Sequence, residues 1–198
     1  MKYFSLDSDL RLQKKGVLAN LPTDSDWLKL PWSAAVKFEQ RVTTPIIYSI
    51  KKKSKMKNLE IECLDYIYAF IGSMLVSKRF LHIIKKINKN IDSYRSKIQY
   101  GEKYLDSEYF SINLLELYPA MNMRLSKYDS MQVKEKQIVI FAEELILSQK
   151  KIDQIPKGEH LFRLQECPSY IIISEYGKNL IEENGIIGVE FEPLKIAD

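Results

Sequence analysis

Cysteine and histidine are scarce in this sequence. Two of each stand among 198 residues: Cys63, Cys167, His82 and His160. A structural zinc site takes about four such ligands at paired spacing, and neither CxxC nor HxxxH occurs. No metal site is expected. Nucleophilic catalysis by a thiol needs a base beside it, and these residues are scattered. Both cysteines are read as small buried residues preceding strands. The seven glycines are dispersed, so no glycine-rich phosphate loop forms before a helix and no cofactor is expected. No apolar run nears the roughly 18 residues of a membrane span. The opening "MKYFSLDSDLRLQKKG" lacks a signal-type apolar stretch. With two cysteines suiting a reducing compartment, the expected location is the cytoplasm. The adjacent carboxylates Glu143/Glu144 and Glu182/Glu183 diverge by about 100° on a helix, so they read as solvated faces. Nothing here predicts an enzyme.

What is present is charge, unevenly spread. Residues 1–50 carry 7 Lys/Arg against 5 Asp/Glu; residues 51–103 carry 13 against 5; residues 104–198 carry 10 against 16. The middle is net +8 and the last part net −6, so different surfaces attract different partners. The length suits one domain, residues 1–198, with 1–50 the least certain part.

Strand patterns dominate. "KYFSL", "TPIIYSI", "MLVS", "SYRSKIQY", "EYFSINLLEL", "HLFRLQ", "YIIIS" and "GVEFEPL" read as strands, and "QIVIFAEELIL" begins as one. "LEIECLDYIYAFIG" fits either a strand pair or a helical turn. "LPTDSDWLKLPW" reads as loop and turn, with Trp27 and Trp32 as core packing or interface anchors. "KKKSKMKN" is a solvated loop. After Ser77 the period changes: Phe80, Leu81, Ile83, Ile84 and Ile87 form one stripe, and Lys78, Arg79, His82, Lys85, Lys86 and Lys89 take the other side. Ser77 is placed to cap that helix. A second such unit follows Ser174 and ends at Asn184–Gly185, since glycine adopts the left-handed stop at little cost. Aligning the serines sets Leu180 and Ile181 on Ile83 and Ile84, and Gly177 on Phe80. The expected fold is α+β: mostly antiparallel sheet, a few short helices, and two strand–Ser–helix units of opposite charge.

Three stretches carry a family resemblance in their order: "LDYIYAFIGSMLVSKRF", "EYFSINLLELYPAMNMRLSKYDS" and "LFRLQECPSYIIISEYGKNLIEENGIIGVEF". Together, over about Leu64–Phe191, they resemble a bacterial immunity-protein family of polymorphic toxin systems. The resemblance implies a non-catalytic antidote that binds a cognate toxin protein; the residues themselves lead to the expectation of no membrane and no specific nucleic-acid partner. Asp65, Ser77, Asn113 and Ser174 match its pattern, and caps and strand-end bonds account for them. If the toxin attacks nucleic acid, its cleft is basic, and Glu175, Glu182 and Glu183 become the contact candidates. The rival reading is a nucleic-acid-associated regulator using the basic 51–103 segment.

Overall fold

The computed structural model describes the chain except residues 23–24, 31, 33–34, 36, 39–44, 51–56, 70–71 and 134–135. Most of the lysine run therefore lies outside the described residues, as does the side chain of Trp27. The order is β1 (Tyr3–Ser8), α1 (Leu10–Lys14), β2 (Ala19–Asn20), a 3-10 turn (Asp26–Lys29), β3 (Ile46–Ile50) and α2 (Asn58–Glu62). Next come β4 (Tyr66–Tyr68), β5 (Met74–Ser77), α3 (Lys78–Ile87), β6 (Ile91–Tyr100), β7 (Lys103–Tyr104), β8 (Tyr109–Leu114) and β9 (Leu117–Tyr118). The chain ends through β10 (Lys127–Val133), β11 (Lys136–Glu144), β12 (Ile146–Leu147), α4 (Gln149–Ile152), β13 (Leu161–Leu164), β14 (Ile171–Ser174), α5 (Glu175–Glu183), β15 (Val189–Pro193) and β16 (Lys195–Ile196).

Two sheets organise the molecule. One runs β15-β1-β14-β13-β9; the other runs β2-β3-β6-β8-β5-β4 with β7 beside β6. Most pairs are antiparallel, as the α+β reading requires; β3–β6, β9–β13 and β12–β16 are parallel. The ambiguous stretch from Leu59 resolves into a short helix and then β4. The run from Gln137 breaks at Leu145 between β11 and β12.

The two strand–Ser–helix units are more alike than their helices alone show. In the first, β4 and β5 form a hairpin with Tyr66 opposite Val76, α3 follows, and β8 lies between β5 and β6. In the second, β13 and β14 form the hairpin with Leu161 opposite Ile173, α5 follows, and β1 lies between β14 and β15. Ser77 faces Tyr109 on β8, and Ser174 faces Tyr3 on β1. From those tyrosines β8 reads Tyr-Phe-Ser-Ile-Asn and β1 reads Tyr-Phe-Ser-Leu-Asp. The last strands keep step: Asp92 faces Asn113, and Glu190 faces Asp7. The chain thus builds one four-strand, one-helix unit twice, and the second unit borrows its inner strand from the N-terminal segment.

Each serine works identically. Ser77 Oγ accepts from Phe80 N at 3.1 Å, and Ser174 Oγ accepts from Gly177 N at 3.2 Å. Each serine N–H donates across its hairpin, to Asp65 O at 2.8 Å and His160 O at 2.9 Å. All five residues of the predicted α3 stripe are buried, each contributing roughly 1.5–3 kcal/mol. At the place of Phe80 the second unit has Gly177, because an added Cβ would stand 2.8 Å from Ile173 Cγ1. Both helices share a core with Leu6, Val76, Ile112 and Ile173. Two further cores cover the sheets, one around Trp32, Tyr48 and Ile98, the other around Met121, Phe162 and Ile172. Trp32 is a core residue, 1% exposed, with edge-on contacts to Phe38 and Tyr94.

Cys63 departs from expectation. It caps the C-terminus of α2 and is exposed, whereas Cys167 is buried as read.

Candidate functional site

Helices α3 and α5 are antiparallel neighbours, tied at both ends. At one end Arg79 Nη2 donates to Gly185 O, just past α5, at 3.1 Å. At the other, His160 N reaches Ile87 O at 3.4 Å, and the His160 ring stands on the cap of α5. The basic and acidic exposed sides therefore flank one another, which lowers repulsion within each and gives one region of the surface both signs.

On α5 the expected acidic residues are unequal. Glu175 pairs with Lys2 at 3.5 Å and Glu182 with Lys178 at 2.6 Å. Lys178 also lies over the Phe4 and Phe191 rings. Glu183 is exposed and carries no ion pair among the described residues. One side of the same helix presents Tyr176, Asn179 and Glu183, all exposed, at the three- and four-residue spacing that aligns side chains. Tyr176 is 55% exposed and rests against His160, ring centroids 4.5 Å apart. Sequence reading had no signal for this tyrosine beyond its period from Glu183.

On α3, Lys78 pairs with Glu108 at 2.7 Å and Arg79 with Asp65. His82, Lys85, Lys86 and Lys89 are exposed.

Asp65 is the buried hub between the units. Oδ1 accepts from Ser77 Oγ at 2.6 Å and Arg79 Nε at 3.2 Å; Oδ2 accepts from Arg79 Nη2 and from Ile187 N at 2.9 Å. The loop after α5 is thus held by the first unit's cap. Gly188 in that loop has φ +96°, and a Cβ there would stand 2.5 Å from Tyr66 O.

His160 occupies the matching place in the second unit. Ser174 Oγ accepts from Gly177 N and shares a second hydrogen bond with His160 Nδ1 at 2.9 Å. A serine–histidine pair can serve nucleophilic catalysis, but Ser174 is wholly buried and its hydroxyl is committed to the cap. Burial pushes the His160 pKa below its ordinary value. The neutral form is then favoured by folding, so stability present above about pH 6.5 is lost as pH falls toward the folded value. The melting temperature should drop between pH 7 and pH 5, and less so in His160→Gln, whose amide can still bond Ser174 but does not titrate. Equal drops in both proteins would remove His160 from the account.

Among the described residues no group of three or more His, Cys, Asp or Glu could hold a metal. No described helix is long and apolar enough to cross a membrane. A family model described as "Immunity protein family (Imm11)" matches residues 2–196. The chain belongs to the Imm11 immunity protein family. The match takes in the first fifty residues, where the sequence resemblance was thin, and β1 within them supplies the inner strand of the second unit. Imm11 membership supports toxin neutralisation as the role, in a family that is generally non-catalytic. No curated protein matches the chain.

Proposed function

We propose that this Imm11 protein is a single-domain, non-catalytic antidote that binds one cognate toxin in the cytoplasm, and that the exposed side of α5 is the contact. The family match over residues 2–196 carries the first part. The second rests on Tyr176, a large exposed ring steadied by His160. Aromatic anchors of that kind dominate binding energy at protein interfaces. Glu183 beside it, with Glu182 and Glu175 on the flank, would attract a basic cleft and speed encounter. Of the cations expected to serve nucleic acid, Lys78 and Arg79 are already paired within the protein, which weakens that rival.

Co-expression with the cognate toxin tests the reading. The double reversal Glu182→Lys/Glu183→Lys should slow association about tenfold at low salt and flatten its salt dependence. Tyr176→Ala should raise the dissociation rate and cost about 2 kcal/mol or more. Lys85→Glu/Lys86→Glu should leave protection intact. Loss of protection from the lysine reversal alone would move the contact to α3.

A further inference from the structure

The loop after α5 displays an apolar side chain on a fixed backbone. Ile187 N donates to Asp65 Oδ2 at 2.9 Å, and Ile187 O accepts from Asp65 N at 2.9 Å and Tyr66 N at 3.1 Å. The first unit thus holds both main-chain groups of Ile187, while the side chain is 50% exposed. Across the seam, Asp9 N donates to Gly188 O at 3.0 Å, which sets Leu10 next to Ile187. Leu10 is 51% exposed and opens α1, a helix with no buried side chain. Polar bonds hold α1 in place: Asp9 Oδ1 accepts from Arg11 N at 2.8 Å, Leu10 N donates to Glu190 Oε2 at 3.2 Å, and Gln13 Nε2 donates to Ser8 Oγ at 2.8 Å. One exposed leucine is ordinary. Two large apolar residues set together on ordered main chain are prepared for a partner, because little freedom is lost when they are covered.

The charges around this pair are sorted by sign. On the α5 side stand Glu182 and Glu183, both exposed. On the α1 side stand Lys14 and Lys15, both exposed and without an ion pair among the described residues. Lys14 is four residues after Leu10 and so lies on the same side of its helix. The other charges nearby are matched within the protein, Arg11 with Asp9 at 2.7 Å and Arg79 with Asp65. An apolar centre with a charged rim is the anatomy of a protein interface. Size points the same way. From Tyr176 to Glu183 α5 runs only about 10 Å, whereas a standard interface buries about 800 Å² on each partner. A toxin seated on α5 must therefore reach past the helix, and the chain that leaves its C-terminal end leads directly to Ile187.

We propose that Leu10 and Ile187 form the apolar centre of the toxin contact. The inference rests on the reading that α5 faces the toxin, and it adds the chemistry of the toxin's own surface. That surface offers an apolar hollow for the two side chains. It carries basic groups on the side that meets Glu182 and Glu183, and acidic groups on the side that meets Lys14 and Lys15. Opposite signs on the two sides of one centre select a single orientation, because a toxin rotated by half a turn sets like charges against each other.

Binding of the purified cognate toxin to the full chain, followed by biolayer interferometry, tests this. Leu10→Asp and Ile187→Asp should each weaken binding about thirtyfold or more, the effect of losing an interface anchor, and chiefly through faster dissociation. Their unfolding midpoints in denaturant should match that of the unmodified protein, since both side chains stand half in water and the bonds of Ile187 are made by its main chain. Ile187→Ser removes the apolar group without adding a charge and should weaken binding about tenfold. Lys14→Glu/Lys15→Glu should slow association about tenfold at low salt. Binding within about twofold of the unmodified protein for both aspartate variants would overturn the proposal. If Tyr176→Ala still weakens binding in that case, the α5 contact stands without this centre; if Tyr176→Ala is silent as well, both readings fall. Faster association after the lysine reversal would overturn the placing of acids on that side of the toxin.

Discussion

Asp65→Ala is expected to destabilise the protein by about 3–5 kcal/mol, the usual loss when one partner of a buried pair is removed. The carboxylate is 5% exposed and takes bonds from a hydroxyl, a guanidinium and the Ile187 amide. Its removal leaves the amide and hydroxyl without their acceptor and frees the loop after α5. Asp65→Asn should fall between, because the amide oxygen still accepts from one side while the charge opposing Arg79 is gone. Arg79→Ala should cost less, since Arg79 is half exposed and water replaces its bonds. Denaturant unfolding of the three variants is the measurement. A loss below about 1 kcal/mol for Asp65→Ala, the scale of a surface pair, would show that the hub is not structural.

Arg163→Ala is expected to cost a similar 3–5 kcal/mol, for a different reason. Arg163 is 1% exposed and makes no ion pair among the described residues. Nη1 donates to Pro168 O at 2.8 Å and Nη2 to Gly72 O at 2.7 Å; Nε has no partner among the described residues. Gly72 precedes β5 and Pro168 precedes β14, so one guanidinium holds the hairpin turns of both units. Burial lowers its pKa to about 10, which leaves it charged at neutral pH. Alanine would leave a cavity and two orphaned carbonyls. Methionine fills the space and removes a buried charge at the same time, so Arg163→Met should lose less than half as much. If methionine is as damaging as alanine, bonding to the turns matters and volume does not.

Both residues show how far the sequence could be read. The α3 stripe was legible because five apolar residues fall at helical period on one side. The serine caps were legible because a hydroxyl precedes each helix. Arg163 was not: "HLFRLQ" alternates like a half-buried strand, yet every residue of β13 is buried, because cores lie on both faces of its sheet. Its distant acceptor, Gly72 O, leaves no local trace. β10 was missed because "KYDSMQV" has neither a steady alternation nor an apolar run, as befits a ribbon only partly buried. The repeated Tyr-Phe-Ser was visible in the letters but out of order: β8 follows its helix, whereas β1 stands at the other end of the chain. The acidic residues of α5 were legible as charge, but their lysine partners Lys2 and Lys178 were not, and Tyr176 gained meaning only beside His160.

The borrowed strand has a consequence for synthesis. Leu6 of β1 is made 165 residues before Ile171, its neighbour on β14. At about 5–20 residues per second the interval is roughly 10–30 seconds. The first unit, residues 66–114, can close on the ribosome as soon as β8 emerges. β1 must wait, with Phe4 and Leu6 uncovered and both edges open, until almost the whole chain has been translated. A partly made chain therefore has its basic helix in place but lacks the acidic one, and the second unit closes only once β14 and β15 have been made.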